Sequence, residues 1–195
     1  MGARLRKSDW RDLARNKYRP DHIELLFIAE APPANDSRRF FYSVPVDIGD
    51  TLFLEMMKVL YTKKAKFVEY DGNGKPGFNA KQVRNRKAEF LEKFKRDGFY
   101  LIDAVDEPMP KNAKTKKMKE EKIRSSLPRL RDKLRAVCGD RDVPVILIGA
   151  PVHKVCAADL RKGKVRVLNK DMIDTPAQGG QKPLQEQTSP GAPSP

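Results

Sequence analysis

The run Leu25-Leu26-Phe27-Ile28-Ala29, entered from Ile23 and Glu24, constrains this chain more than any other stretch. A continuous apolar run of that length fits a strand covered on both faces, as in a parallel sheet. It stops at Glu30 and two prolines, Pro32 and Pro33, with Arg38, Arg39, Phe40, Phe41 and Tyr42 beyond. Two later runs have the same form. Phe99-Tyr100-Leu101-Ile102 ends at Asp103-Ala104-Val105, and Val143 to Ile148 ends at Gly149-Ala150-Pro151. A shorter fourth run spans Val165 to Leu168.

Parallel strands need crossover connections, usually helical, and the intervening sequence supplies them. After an N-cap at Asp50, the residues Leu52, Phe53, Met56, Met57, Leu60 and Tyr61 repeat at helical spacing over 51–61. A second helix, over 80–97, carries Val83, Phe90, Leu91 and Phe94 inward and closes at Gly98. Leu127, Leu130, Leu134 and Val137 make a third, with Pro128 in its first turn and Gly139 at its end. Pro151 opens a fourth. Strand–helix alternation repeated four times predicts an α/β fold. Its form is three-layered, a four-stranded central parallel sheet with helices on both faces. One domain covers residues 1–182, and a Pro-, Gln-, Ser- and Gly-rich tail covers 183–195. Near the start, Trp10, Leu13 and Tyr18 suggest a short helix against the sheet edge, ended by Pro20. Asp71-Gly72-Asn73-Gly74 marks a tight turn.

The formal net charge of +14 points to a polyanionic partner, nucleic acid before others, or to a solubilising surface. Six lysines between Lys111 and Lys122 form either a solvated face or a phosphate-contacting loop. No run approaches the ~20 apolar residues of a membrane span, so no membrane partner is expected. The basic N-terminus has no apolar segment behind it, so no signal peptide is expected. Two cysteines, Cys138 and Cys156, cannot build a disulfide framework, which suggests a reducing cytoplasm. They are also too few for a four-cysteine zinc site or an iron–sulfur cluster.

In open α/β sheets ligands bind beyond the carboxyl ends of the strands. Three loops would meet there: after Ala29, after Ile102 and after Leu168. Glu30 can orient a water, or instead cap a helix or pair with Arg38 or Arg39. One of Phe40 and Phe41 can stack a base while the other packs in the core, because adjacent side chains of an extended segment point apart. Arg38 and Arg39 can meet phosphate. Gln178, Gly179, Gly180 and Gln181 offer backbone N–H groups and amides to phosphate or base, or form an ordinary turn. His153, near a helix start, reads as a surface or capping residue.

The order of these loops resembles the uracil-DNA glycosylase superfamily, over about residues 23 to 182. Ala29-Glu30-Ala31-Pro32 is similar to the family's Gly-Glu-Ala-Pro-Gly after a strand, and Arg39-Phe40-Phe41 to its base-stacking aromatic. Leu54 to Leu60 looks like the helix that follows. Leu101-Ile102-Asp103-Ala104-Val105 resembles the Thr-Asn-Ala-Val segment whose Asn reads the base edge. Val145-Ile146-Leu147-Ile148-Gly149 resembles the strand before the last motif. Thr175-Pro176 and the following glycines stand where the family has its His-Pro-Ser loop. The departures are two cysteines in place of four, no histidine in the last loop, and Asp103 in place of Asn.

The resemblance implies a monomeric, metal-free, cofactor-free DNA-binding protein that flips out a damaged base and hydrolyses its N-glycosidic bond in base excision repair. Glu30 would be catalytic, and Phe40, Phe41 and Asp103 would bind the base. An ionised Asp only accepts hydrogen bonds, whereas an Asn also donates. Asp103 therefore suggests a base other than uracil, or a carboxyl kept protonated in a dry pocket. Two alternatives stay open: a non-catalytic nucleic-acid-binding module of the same fold, and an α/β enzyme whose Arg38 and Arg39 grip a free nucleotide's phosphate.

Overall fold

A computed structural model describes residues 10–33, 39–44, 50–61, 69–70, 76–77, 79–110 and 115–173. Its centre is strand β1, Leu25–Ala29. A two-strand antiparallel pair, β2 (Glu69–Tyr70) and β3 (Pro76–Gly77), lies apart from the main sheet. Strands β4, Phe99–Asp103, and β5, Val145–Leu147, flank β1 in the order β4-β1-β5. Both pairings are parallel: Leu25 meets Phe99, Ala29 meets Asp103, and Leu26 meets Val145. Consecutive residues Leu26, Phe27, Ile28 and Ala29 are all at most 4% exposed. Successive strand side chains point to opposite faces, so the sheet is covered on both.

The run from Val165 to Leu168 does not form a regular fourth strand. It touches the sheet through a parallel bridge between Val145 and Val167, and a second bridge joins Ile148 to Ile173. A buried side chain takes over part of the pairing: Asn169 accepts from the Leu147 amide at 2.9 Å and donates to its carbonyl at 3.2 Å. The opposite edge is closed in the same way. The Tyr42 hydroxyl accepts from the Leu101 amide at 2.7 Å and donates to its carbonyl at 3.1 Å. Each edge strand thus has backbone groups blocked against further pairing.

Helix α1 is Trp10–Lys17 and α2 is Thr51–Tyr61. The single helix expected over 80–97 is divided at Arg86 into α3, Ala80–Asn85, and α4, Lys87–Arg96. At that division Lys87 turns fully inward to Asp50, 3.5 Å away. Gly98 follows at φ +73, where a Cβ would stand 2.5 Å from Glu24 Cγ. Only glycine fits this turn into β4.

The third helix is the largest departure. Helix α5 runs from Lys116 to Cys138, with Pro128 at mid-length instead of in the first turn. The apolar stripe continues upstream of the proline to Ile123, fully buried, and that burial offsets a missing backbone donor. Most of the lysine run is therefore the start of a helix. Helix α6 is Ala150–Lys162, with Pro151 in its first turn as expected. In α1, Tyr18 beyond its end is buried, but Trp10 and Leu13 are 40% and 61% exposed, so they are not a core stripe. The turn at Asp71–Gly74 lies outside the described residues.

Candidate functional site

The carboxyl edge of the sheet gathers the chain's charged loops. Glu30 follows β1 directly, and Asp103 ends β4. The ladder continues past the strands, because the Ala104 amide donates to the Ala29 carbonyl at 2.8 Å and Val105 to Glu30 at 3.1 Å. Two of the three predicted loops therefore meet here in fixed register, and the segment after Leu168 reaches the same edge at β5, where the Gly149 amide donates to the Ile173 carbonyl at 2.8 Å.

Glu30 stands partly open, its side chain 19% exposed. Its Oε1 pairs with Lys119 Nζ at 2.9 Å. The cation described at Glu30 is Lys119, a lysine from the first turn of α5. Oε2 has no partner among the described residues and is free to hold a water. Arg39 is exposed, and Arg38 lies outside the described residues. The loop residues Gln178, Gly179, Gly180 and Gln181 also lie outside them.

Asp103 is placed differently from the base-reading role expected of it. It is 3% exposed, and its Oδ2 accepts from Arg15 at 2.8 Å. Its backbone carbonyl accepts from Lys133 Nζ at 2.8 Å, and Lys133 also pairs with Asp106. Burial pushes the Asp103 carboxyl above the usual carboxylate range, against the opposing pull of Arg15 and Lys133. A base could reach this carboxyl only by displacing Arg15. In this conformation Asp103 is a packed ion-pair residue that anchors α1.

Phe40 and Phe41 are also corrected. Both were candidates for a stacking face, with one of them in the core; both are buried, at 2% and 4% exposure. The cause is Tyr42, whose hydroxyl is hooked onto Leu101 and draws the segment inward. Phe41 then packs on Phe53 and Phe94, with centroids 5.8 and 5.3 Å away, and Phe40 lies 5.4 Å beneath the Arg15 guanidinium. The exposed aromatic at this edge is Trp10, edge-on to Phe40 at 5.7 Å. Its neighbour Arg11 donates to the Pro33 carbonyl at 3.3 Å, holding α1 against the loop after Glu30.

Sequence reasoning missed Arg15, Lys119, Lys133 and Trp10 as members of this edge. Two left a signal: Lys119, as part of a lysine run left open between solvent and phosphate, and Trp10, in a short helix placed against the sheet edge. His153 is structural: its Nε2 lies 3.2 Å from the Asn169 carbonyl oxygen. Among the described residues no group of three His, Cys, Asp or Glu could hold a metal ion, and no helix is long and apolar enough to cross a membrane.

Comparison of the chain with protein-family models, with curated proteins and with solved structures returned no match.

Proposed function

We propose that this chain is a DNA-binding protein of uracil-DNA glycosylase-like fold that hydrolyses the N-glycosidic bond of an altered base. The observation that carries this reading is Glu30, a part-open carboxylate fixed beyond the carboxyl end of the central parallel strand. That edge is where such sheets bind ligands. Supporting it are the net charge of +14 and the cations Lys119, Lys133 and Arg15 along the same edge.

Glu30 carries the proposed chemistry. Glu30 Oε2 accepts a hydrogen bond from a water and aims its oxygen at the sugar C1′. As the C1′–N bond lengthens, positive charge grows on the sugar and negative charge on the base. The water oxygen bonds to C1′, its proton passes to Glu30, and the base departs with the bonding electron pair. Lys119 holds the carboxylate in place. With Phe40 and Phe41 buried, Trp10 is the aromatic available to stack an extruded base. Asp103 supports the edge by anchoring α1, and the protein acts as a monomer in the cytoplasm.

The burial of Phe40 and Phe41 and the neutralisation of Glu30 by Lys119 favour a second reading, a nucleic-acid-binding module without catalysis. An excision assay separates the two. Duplexes carrying uracil, hypoxanthine, xanthine or a mismatch are incubated with wild type and with Glu30→Ala, then cleaved at abasic sites by alkali. Excision lost in the variant supports hydrolysis. Salt-sensitive binding with no excision on any base supports the module.

A further inference from the structure

A cavity lies away from Glu30, at the amino edge of the sheet. There α5 and α6 both end and β5 begins. The cavity is about 390 Å³, within the range of small-molecule pockets. Its floor is apolar: Leu134, Cys138, Val143, Val145 and Leu160, each 9% exposed or less. Nothing stands within 4 Å of where a Gly139 side chain would begin, so the end of α5 leaves this space open.

The rim is charged, with five cations against three carboxylates. Most are already committed. Arg131 and Asp159 pair across the α5–α6 seam, and Arg166 pairs with Asp142 at 3.2 Å. Arg141 reaches the carbonyls of Cys138 and Val137. Lys164 is different: its side chain is exposed and has no partner among the described residues.

The backbone of Lys164 is also unusual. It is the one residue other than glycine with positive φ among the described residues, at +62. It occupies the left-handed position that closes α6: its amide donates to Arg161 at 2.9 Å, and the Val165 amide donates to Leu160 at 2.9 Å. Glycine is the least strained residue at such a cap. A lysine there accepts strain at the rim of an apolar cavity, with its side chain exposed, and strain of this kind marks functional positions.

We infer that this cavity is a binding site for a small organic anion with a flat apolar body, the rings lying on Leu134, Val145 and Leu160 and the anionic group meeting Lys164. The site is separate from the Glu30 edge and stands whether or not that edge is catalytic.

The test uses 8-anilinonaphthalene-1-sulfonate with the full chain. N-phenyl-1-naphthylamine, the same rings without the sulfonate, is the control. The sulfonate is expected to bind saturably at one site and to slow alkylation of Cys138 by N-ethylmaleimide at least fivefold, as mapped by peptide mass spectrometry. Cys156, fully buried, provides the internal reference. Lys164→Gly relieves the strained cap, so it should raise Tm while weakening the sulfonate at least fivefold and leaving the uncharged probe unchanged. That combination cannot come from misfolding. Absence of saturable binding, unaltered Cys138 alkylation in the presence of probe, or wild-type sulfonate affinity in Lys164→Gly would each overturn the inference. Equal loss of both probes would overturn the assignment of Lys164 to the anionic group.

Discussion

The Arg15 guanidinium meets the Asp103 carboxylate at 2.8 Å, joining a helix near the start of the chain to the carboxyl end of β4. The Asp103 side chain is 4% exposed, so the pair is closed to water on the acidic side. Breaking one member of a buried pair strands a charge, at a cost of roughly 3–5 kcal/mol. Arg15→Met should therefore lose about 3 kcal/mol in urea denaturation. Adding Asp103→Asn to it should recover most of the loss, since a buried amide is less costly than an unpaired carboxylate. Additive losses in the double variant would show that the pair is not what anchors α1.

Lys87 gives the fold a distinctive pH response. It is 1% exposed, lies near Asp50, and stands 4.5 Å from the centre of the Phe53 ring. Burial pulls its ammonium down from 10.5 to about 8, despite the opposing effect of Asp50. The unfolded chain then binds more protons than the folded one between about pH 8 and 10. Lys87 alone makes stability rise with pH across that window, by at most about 1.4 kcal/mol per pH unit. From about pH 9 the Cys138 and Cys156 thiols, pushed up by burial, oppose it because the unfolded chain loses their protons first. Above pH 10 the buried tyrosines oppose it. Tyr42, Tyr61 and Tyr100 keep their protons in the fold through burial, so stability falls as the unfolded chain loses its own. Denaturation midpoints of wild type and Lys87→Met at pH 7.5, 8.5 and 9.5 should isolate the rise as their difference, because the cysteines and tyrosines act in both proteins.

Pro128 sits inside a 23-residue helix. An interior proline removes one backbone hydrogen bond and crowds the preceding turn. Pro128→Ala should stabilise the chain by about 1–3 kcal/mol, read as a higher urea midpoint with unchanged m-value. A loss of stability would show that Pro128 itself is needed to seat Ile123 and Leu134 together.

The three strands of the main sheet were legible because each is a short apolar run buried on both sides, whereas β2 and β3, two residues each, carry no such run. The site was legible only in part. Glu30 could be placed because the residue after a strand inherits its position from the strand. The roles of Phe40 and Phe41 could not, because they depend on Tyr42 reaching Leu101, 59 residues later. Asp103 was located correctly, but its partner Arg15 lies 88 residues away and carries no local signal. The start of α5 was misplaced because a proline rule about first turns outweighed an apolar stripe that continues past it. The short run at Val165 read as a strand because its alternation is real, although Asn169 takes the place of further ladder bonds.

The central claim concerns Glu30, and its ion pair makes a clean test possible. The pair is partly exposed, 19% on Glu30 and 25% on Lys119, so breaking it costs about 1 kcal/mol or less. Glu30→Gln and Lys119→Met should therefore both fold. The decisive measurement is single-turnover excision of an altered base from duplex DNA by wild type and Glu30→Gln. A positioned general base contributes about 10²–10⁴ in rate, so the account predicts excision by wild type and a loss of that size in Glu30→Gln, with DNA binding unchanged. Excision at the wild-type rate by Glu30→Gln, or none by the wild-type protein on any base, would contradict it.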